Sequence, residues 1–188
     1  MKAQQGNASK DRINEGFPGD IRTLRRYLGY YQTYYLSPSW PGTIVCSCAF
    51  LEEKNGLVVS KSLERISHHQ WRIKKITKYN GKATFLRDRI FVVETESTGD
   101  PIVTQIILKP FQDQKDKYLR GLCTGISWRS NDVPYATRMI WRQLGSSPDK
   151  REMLKKCGIL PQRSRRIAPT VKKYLVPPEG AEATVITS

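Results

Sequence analysis

Several groups of residues have types and spacings that could support chemistry. Cys46 and Cys48, followed by His68 and His69, bring together the soft ligands that zinc takes. Zinc sites space their cysteines more widely, however, and cysteine is a common core residue, so the reading is packing and no metal is expected. Glu94 and Glu96 share a strand face, as a general acid and base would. Nothing accompanies them, and the expectation is solvent-exposed charge. Ser127, Ser130 and the two histidines form no nucleophile elbow. No catalytic residue is assigned, no cofactor is called for, and the chain reads as a binding protein and not an enzyme.

Binding is better supported by the aromatic and basic residues. Tyr30, Tyr31, Tyr34, Tyr35 and Trp40 could line a pocket or stack on bases, although half of any strand faces a core. Trp40 sits among Pro38, Pro41 and Gly42, while Trp128 and Tyr135 flank a polar loop. Tyr35, Trp40, Trp128 and Tyr135 are therefore the candidate ligand-binding residues, as two lips of one opening. Strand alternation puts Arg72, Lys74 and Lys78 on one face, where they could track phosphates or simply keep the sheet solvated. Nine Lys or Arg residues against one Glu lie between Lys150 and Lys173. With Arg163, Arg165 and Arg166 at its centre, that segment is a candidate sequence-independent nucleic-acid contact.

These residues must be positioned by strands. From about Tyr30 to Leu144 the chain alternates short apolar/polar segments with turn signals and shows almost no helical period. Thr43 to Leu51 and Leu57 to Ile66 make the clearest hairpin, joined through Asn55-Gly56. Trp71 to Tyr79 and Ala83 to Leu86 are read as two further strands across a second Asn-Gly pair, Asn80-Gly81. Arg89 to Glu96, Ile102 to Lys109 and Lys117 to Ser127 follow. Pro134 to Leu144 fits a strand or an amphipathic helix. The fold class is mainly β: an antiparallel meander of eight to nine strands in a closed or nearly closed barrel, since closure removes exposed edges.

Outside the strands, residues 1–21 read as a flexible leader, residues 22–145 as the barrel-like domain, and Ile21 to Tyr27 as one short helical turn where the two meet. Residues 146–188 read as a basic extension and tail with one or two short helices, Lys150 to Cys157 capped by the run Ser147-Pro148-Asp149 and Ala168 to Leu175. The 188 residues are 38% hydrophobic, enough for one real core, and the formal charge of +15 favours an anionic partner. Four cysteines without a secretory apolar segment point to reduced thiols in the cytoplasm. No run approaches the roughly 20 apolar residues of a membrane span, so no membrane partner is expected.

The segment from Leu28 to Gly145 resembles the C-terminal β-rich, sensor-like domain behind the helix-turn-helix of certain proteobacterial Cro/repressor-type regulators. The residues carrying the resemblance are Leu28-Gly29-Tyr30-Tyr31, Ser37-Pro38-Ser39-Trp40-Pro41-Gly42, Tyr79-x-Gly81-Lys82, Arg89-Ile90-Phe91, Leu119-Arg120-Gly121-Leu122-x-x-Gly125-Ile126-Ser127 and Pro134-Tyr135-Ala136-Thr137-Arg138. It implies a non-enzymatic regulatory module that senses a small molecule or protein partner, linked to transcription. Residues Met1 to Ile21 are too short and polar for a helix-turn-helix, so recognition-helix DNA binding is not carried over.

Overall fold

The computed structural model describes residues 19–68, 73–99, 101–110, 117–127, 133–176 and 184–186. Eight antiparallel strands run in chain order: β1 (Gly29–Leu36), β2 (Thr43–Lys54), β3 (Leu57–His68), β4 (Ile73–Leu86), β5 (Arg89–Glu96), β6 (Val103–Lys109), β7 (Tyr118–Ile126) and β8 (Pro134–Gly145). Each pairs with the next, and β1 pairs back onto β8 from Tyr30↔Gly145 to Tyr35↔Met139, which closes the barrel. Pro134 to Leu144 is thus a strand; its backbone groups are taken up by β7 on one side and β1 on the other.

Turn chemistry explains one agreement and one correction. Asn55-Gly56 makes the β2–β3 turn with φ of 51° and 75°, the left-handed pair that a tight hairpin requires. Asn80-Gly81 makes no turn and lies inside the continuous strand β4. The reversal comes at Arg87-Asp88, with φ of 47° and 56°, so two residues with side chains adopt the left-handed conformation there. Gly81 serves another purpose: a Cβ on it would strike the Val93 carbonyl oxygen and Glu94 Cα on β5. Glycine inside a strand marks such a close backbone approach.

One end of the barrel is sealed by a short helix, α1 (Ile21–Leu24), continued by a 3-10 turn (Arg25–Tyr27). Asp20 caps it by accepting from the Thr23 amide at 3.1 Å, and the Asp20 amide donates to the Phe85 carbonyl at 2.8 Å. Leu24 and Tyr27 plug the opening above a densely apolar half-barrel that includes Tyr31, Leu51, Ile90, Leu108, Leu119 and Trp141.

The basic segment after Gly145 lies against the outer wall. Helix α2 (Lys150–Lys156) starts at Asp149, whose carboxylate accepts from the amides of Arg151 and Glu152. Strand β9 (Gly158–Pro161) pairs with the first four residues of β2, beyond the point where β3 leaves it at Cys48↔Leu63. Helix α3 (Pro169–Leu175) then buries Val171 and Leu175 completely against Tyr34, Leu36, Ile44 and Ile140. A tenth strand, β10 (Thr184–Ile186), pairs with the start of β8. Among the described residues no helix is long and apolar enough to cross a membrane.

Replacing Gly81 with alanine forces β4 and β5 apart, and overpacking of this kind costs about 1–3 kcal/mol. Urea denaturation of Gly81→Ala is expected to show a loss in that range; wild-type stability would contradict the close approach.

Candidate ligand-binding site

Alternation carries Thr33 and Tyr35 of β1, Ser47 of β2, Ser60, Ser62 and Glu64 of β3, and Glu94 of β5 to the inside of the barrel's other half. There all of them but Ser60 line an internal chamber of about 40 Å³, completed by Tyr79, Cys123, Tyr135, Met139 and Trp40. Three of the four predicted ligand-binding residues, Tyr35, Trp40 and Tyr135, therefore line one space. The fourth, Trp128, lies outside the described residues.

Trp40 closes the chamber from above. The segment Ser37 to Gly42 folds over the mouth, with the Trp40 amide donating to Ser37 Oγ at 3.1 Å and Thr43 Oγ1 donating to the Trp40 carbonyl at 2.6 Å. A Ser39–Ser127 hydroxyl contact of 3.1 Å pins this plug to the end of β7. Trp40 is only 1% exposed, so its ring faces the chamber and not solvent.

The carboxylates are the main correction to the sequence reading. Glu94 and Glu96, expected at the surface, are 3% and 5% exposed, and Glu64 is 8% exposed. Their even positions on β3 and β5 face inward because closure fixes that face as the interior. Glu64 Oε1 accepts from the Tyr35 phenol at 2.9 Å. Glu94 Oε1 accepts from Ser60 Oγ at 2.5 Å and Ser62 Oγ at 2.7 Å. Those serines are on β3, two strands away from Glu94, and the carboxylate reaches them across Gly81, which has no side chain to block the path. Glu96 faces the Lys75 ammonium at 3.3 Å, an ion pair without hydrogen-bond geometry.

Burial dominates the electrostatics. It pushes the Glu64 carboxyl up to about 7, with Glu94 and Glu96 adding to the rise while the Tyr35 hydrogen bond and Lys75 oppose it. Glu94 is also raised by burial, against the two serine hydroxyls that favour its charged form. The Tyr35 and Tyr135 phenols are held well above their ordinary value by burial, so both remain hydrogen-bond donors. Cys123, also lining the chamber, is pushed up to about 12 by burial and by the two glutamates.

The predicted basic residues are dispersed. Lys74 and Lys78 are exposed on the outer face of β4, and Arg163 and Arg165 on the turn after β9. Arg72 lies outside the described residues. Arg166 plays a structural role, because its guanidinium donates to the carbonyls of Lys155 and Lys156 at 3.1 and 3.3 Å and so satisfies the end of α2. Sequence reasoning missed Glu64 and Tyr79. The available signal was the alternating polar run Ser60-x-Ser62-x-Glu64, which differs from the apolar inner positions expected of a filled barrel.

The fold defines the protein's class, a closed eight-stranded antiparallel barrel with a plugged, acidic interior chamber. No family model, curated protein or solved structure matches the chain.

Because the folded Glu64 carboxyl titrates near 7 instead of the ordinary 4.5, folding holds its proton more tightly than the unfolded chain does. Its stabilising contribution is complete below pH 4.5 and is lost as pH rises to about 7, a change of about 3 kcal/mol. Denaturant midpoints measured from pH 4.5 to 8 are expected to fall for the wild type and to fall less steeply for Glu64→Gln, which keeps only the smaller dependence due to Glu94. Parallel curves for the two proteins would contradict the buried titration.

Proposed function

We propose that this protein is a non-enzymatic ligand-sensing barrel whose chamber takes a small organic cation, an ammonium group entering between Glu64 and Glu94, with Glu96 buried nearby. The observation that carries this reading is the burial of three carboxyl groups, with the Lys75 ammonium beside one of them, in a barrel whose other half is packed with apolar side chains. Three buried acids have one ammonium and otherwise only neutral hydroxyls beside them, and buried carboxylates cost stability unless their charge is compensated. A cation supplies further counter-charge. Tyr35 and Tyr135 supply hydroxyls, and Trp40 offers an aromatic face of the kind that attracts cations.

The chamber's size bounds the ligand. About 40 Å³ holds roughly three waters, enough for an ammonium head but not for a larger body unless the Ser37 to Gly42 plug lifts. That coupling supplies the sensing step, because a ligand that displaces the plug biases whatever partner reads the mouth of the barrel. The resemblance to sensor domains of transcriptional regulators suggests such a regulatory output.

Binding an ammonium to the ionised chamber releases the Glu64 proton. Affinity for methylammonium or a short primary amine, followed by amide chemical shifts, is expected to rise about tenfold per pH unit between roughly 5 and 7 and then to level off. Glu94→Gln should weaken it, and Trp40→Ala should speed entry. Amines that leave the chamber signals unmoved at every pH would refute the proposal.

Nucleic-acid contact is the second reading, favoured by 32 basic against 17 acidic residues and by the exposure of Lys74, Lys78, Arg163 and Arg165. It predicts duplex-DNA binding with a log K against log salt slope of about −0.9 per phosphate contacted. The double variant Arg163→Gln/Arg165→Gln should reduce that slope by about two. Point variants are the proper test, since removing the chain after Gly145 would also remove the buried Val171 and Leu175. Absence of binding at low salt would eliminate this reading.

A further inference from the structure

The outer wall of the barrel carries a second cavity, separated from the chamber by the sheet. Cross-strand register sets Tyr30, Phe50 and Lys61 in one outward row and Cys48, Leu63 and Lys78 in the next. Helix α2 packs over one side of these rows, with Met153 and Cys157 against Cys48. A helix of seven residues is only about 10 Å long, too short to cover β3 and β4 as well. What remains uncovered is a groove of about 270 Å³.

Its floor is unusual for an outward face. Tyr30 and Phe50 stack with ring centroids 4.2 Å apart, and Leu63, Met153 and Leu154 continue the apolar surface. The rim has a single sign of charge: Lys61, Lys78 and Lys150 line it, all exposed, with no Asp or Glu among the lining residues. Lys61 is held by Glu52 at 2.7 Å, outside the groove. Lys150 lies over the Tyr30 ring at 5.3 Å, a cation–π contact that fixes its ammonium at the groove's edge. An aromatic floor joined to a cationic rim is complementary to a molecule with an apolar body and an anionic head.

We propose that this groove binds a free medium-chain carboxylate, its chain laid along Phe50, Leu63 and Met153 and its carboxylate between Lys78 and Lys150. The site is independent of the acidic chamber, whose charge would repel the same ligand. Burial of apolar surface makes each added methylene worth about fourfold in affinity until the chain outgrows the groove.

The test uses the full chain and three probes below their micellar concentrations: decanoate, decanol and decyltrimethylammonium, titrated by calorimetry and by methyl and aromatic chemical shifts. Decanoate is expected to bind tightest, to shift Phe50, Leu63 and Met153, and to bind more tightly than octanoate. The surface double variant Lys78→Gln/Lys150→Gln should weaken decanoate at least tenfold and leave decanol unchanged. Leu63→Gln should weaken both, and thermal melting of each variant checks that it folds. Absence of decanoate binding, equal affinity for decanol, insensitivity to the lysine substitutions, or shifts confined to chamber residues such as Tyr35 and Met139 would each overturn the proposal.

Discussion

The pairing of β1 with β8 is the constraint on which the rest of the structure depends. Once the sheet closes, one face of every strand becomes interior, and eight strands enclose a space only wide enough for side chains or one small ligand. Every inward position must then either fill that space or line a cavity. In the half sealed by α1, aliphatic residues with Tyr31 and Trp141 fill it. In the other half, serines, tyrosines and glutamates line a chamber instead. The same closure produces the stable core and the polar site, at opposite ends of one tube.

Closure also explains how charge is distributed. Lysines and arginines dominate the composition, yet buried charge in the chamber is mostly acidic. Outward positions meet water and tolerate cations at little cost, whereas each inward carboxyl needs a donor: Tyr35 for Glu64, Ser60 and Ser62 for Glu94, Lys75 for Glu96. The network spans β1, β3, β4 and β5, so it ties strands together through side chains as well as through the backbone ladder. Gly81 is the small residue that makes this possible, because the Glu94 carboxylate passes over it.

The basic segment after Gly145 has a packing role that its composition does not show. Its cations look outward, but the residues between them do not: Met153, Cys157, Leu160, Ile167, Val171 and Leu175 are buried against the barrel wall. It covers β1, β2, β8 and part of β3 and leaves β4 bare, which creates the boundary where the outer groove lies. Arg166 follows the same logic, directed at the carbonyls that end α2 and not at a distant phosphate.

Local chemistry made much of the architecture legible in the sequence. Alternation located six of the eight barrel strands directly, divided β4 into two at Asn80-Gly81 and left Pro134 to Leu144 open, while Asn55-Gly56 marked its turn and the Ser147-Pro148-Asp149 run marked the start of α2. That Tyr35, Trp40 and Tyr135 line one cavity was readable because aromatic groups next to Pro-rich or polar loops belong at barrel mouths. Tertiary structure alone decided that Asn80-Gly81 is a close approach and that Arg87-Asp88 is the turn, since both pairs accept a turn locally and only strand pairing chooses between them. It alone decided that Glu64, Glu94 and Glu96 face inward. Period-two alternation tells which residues share a face, but where both faces carry polar groups, only closure of the sheet determines which face is the inside.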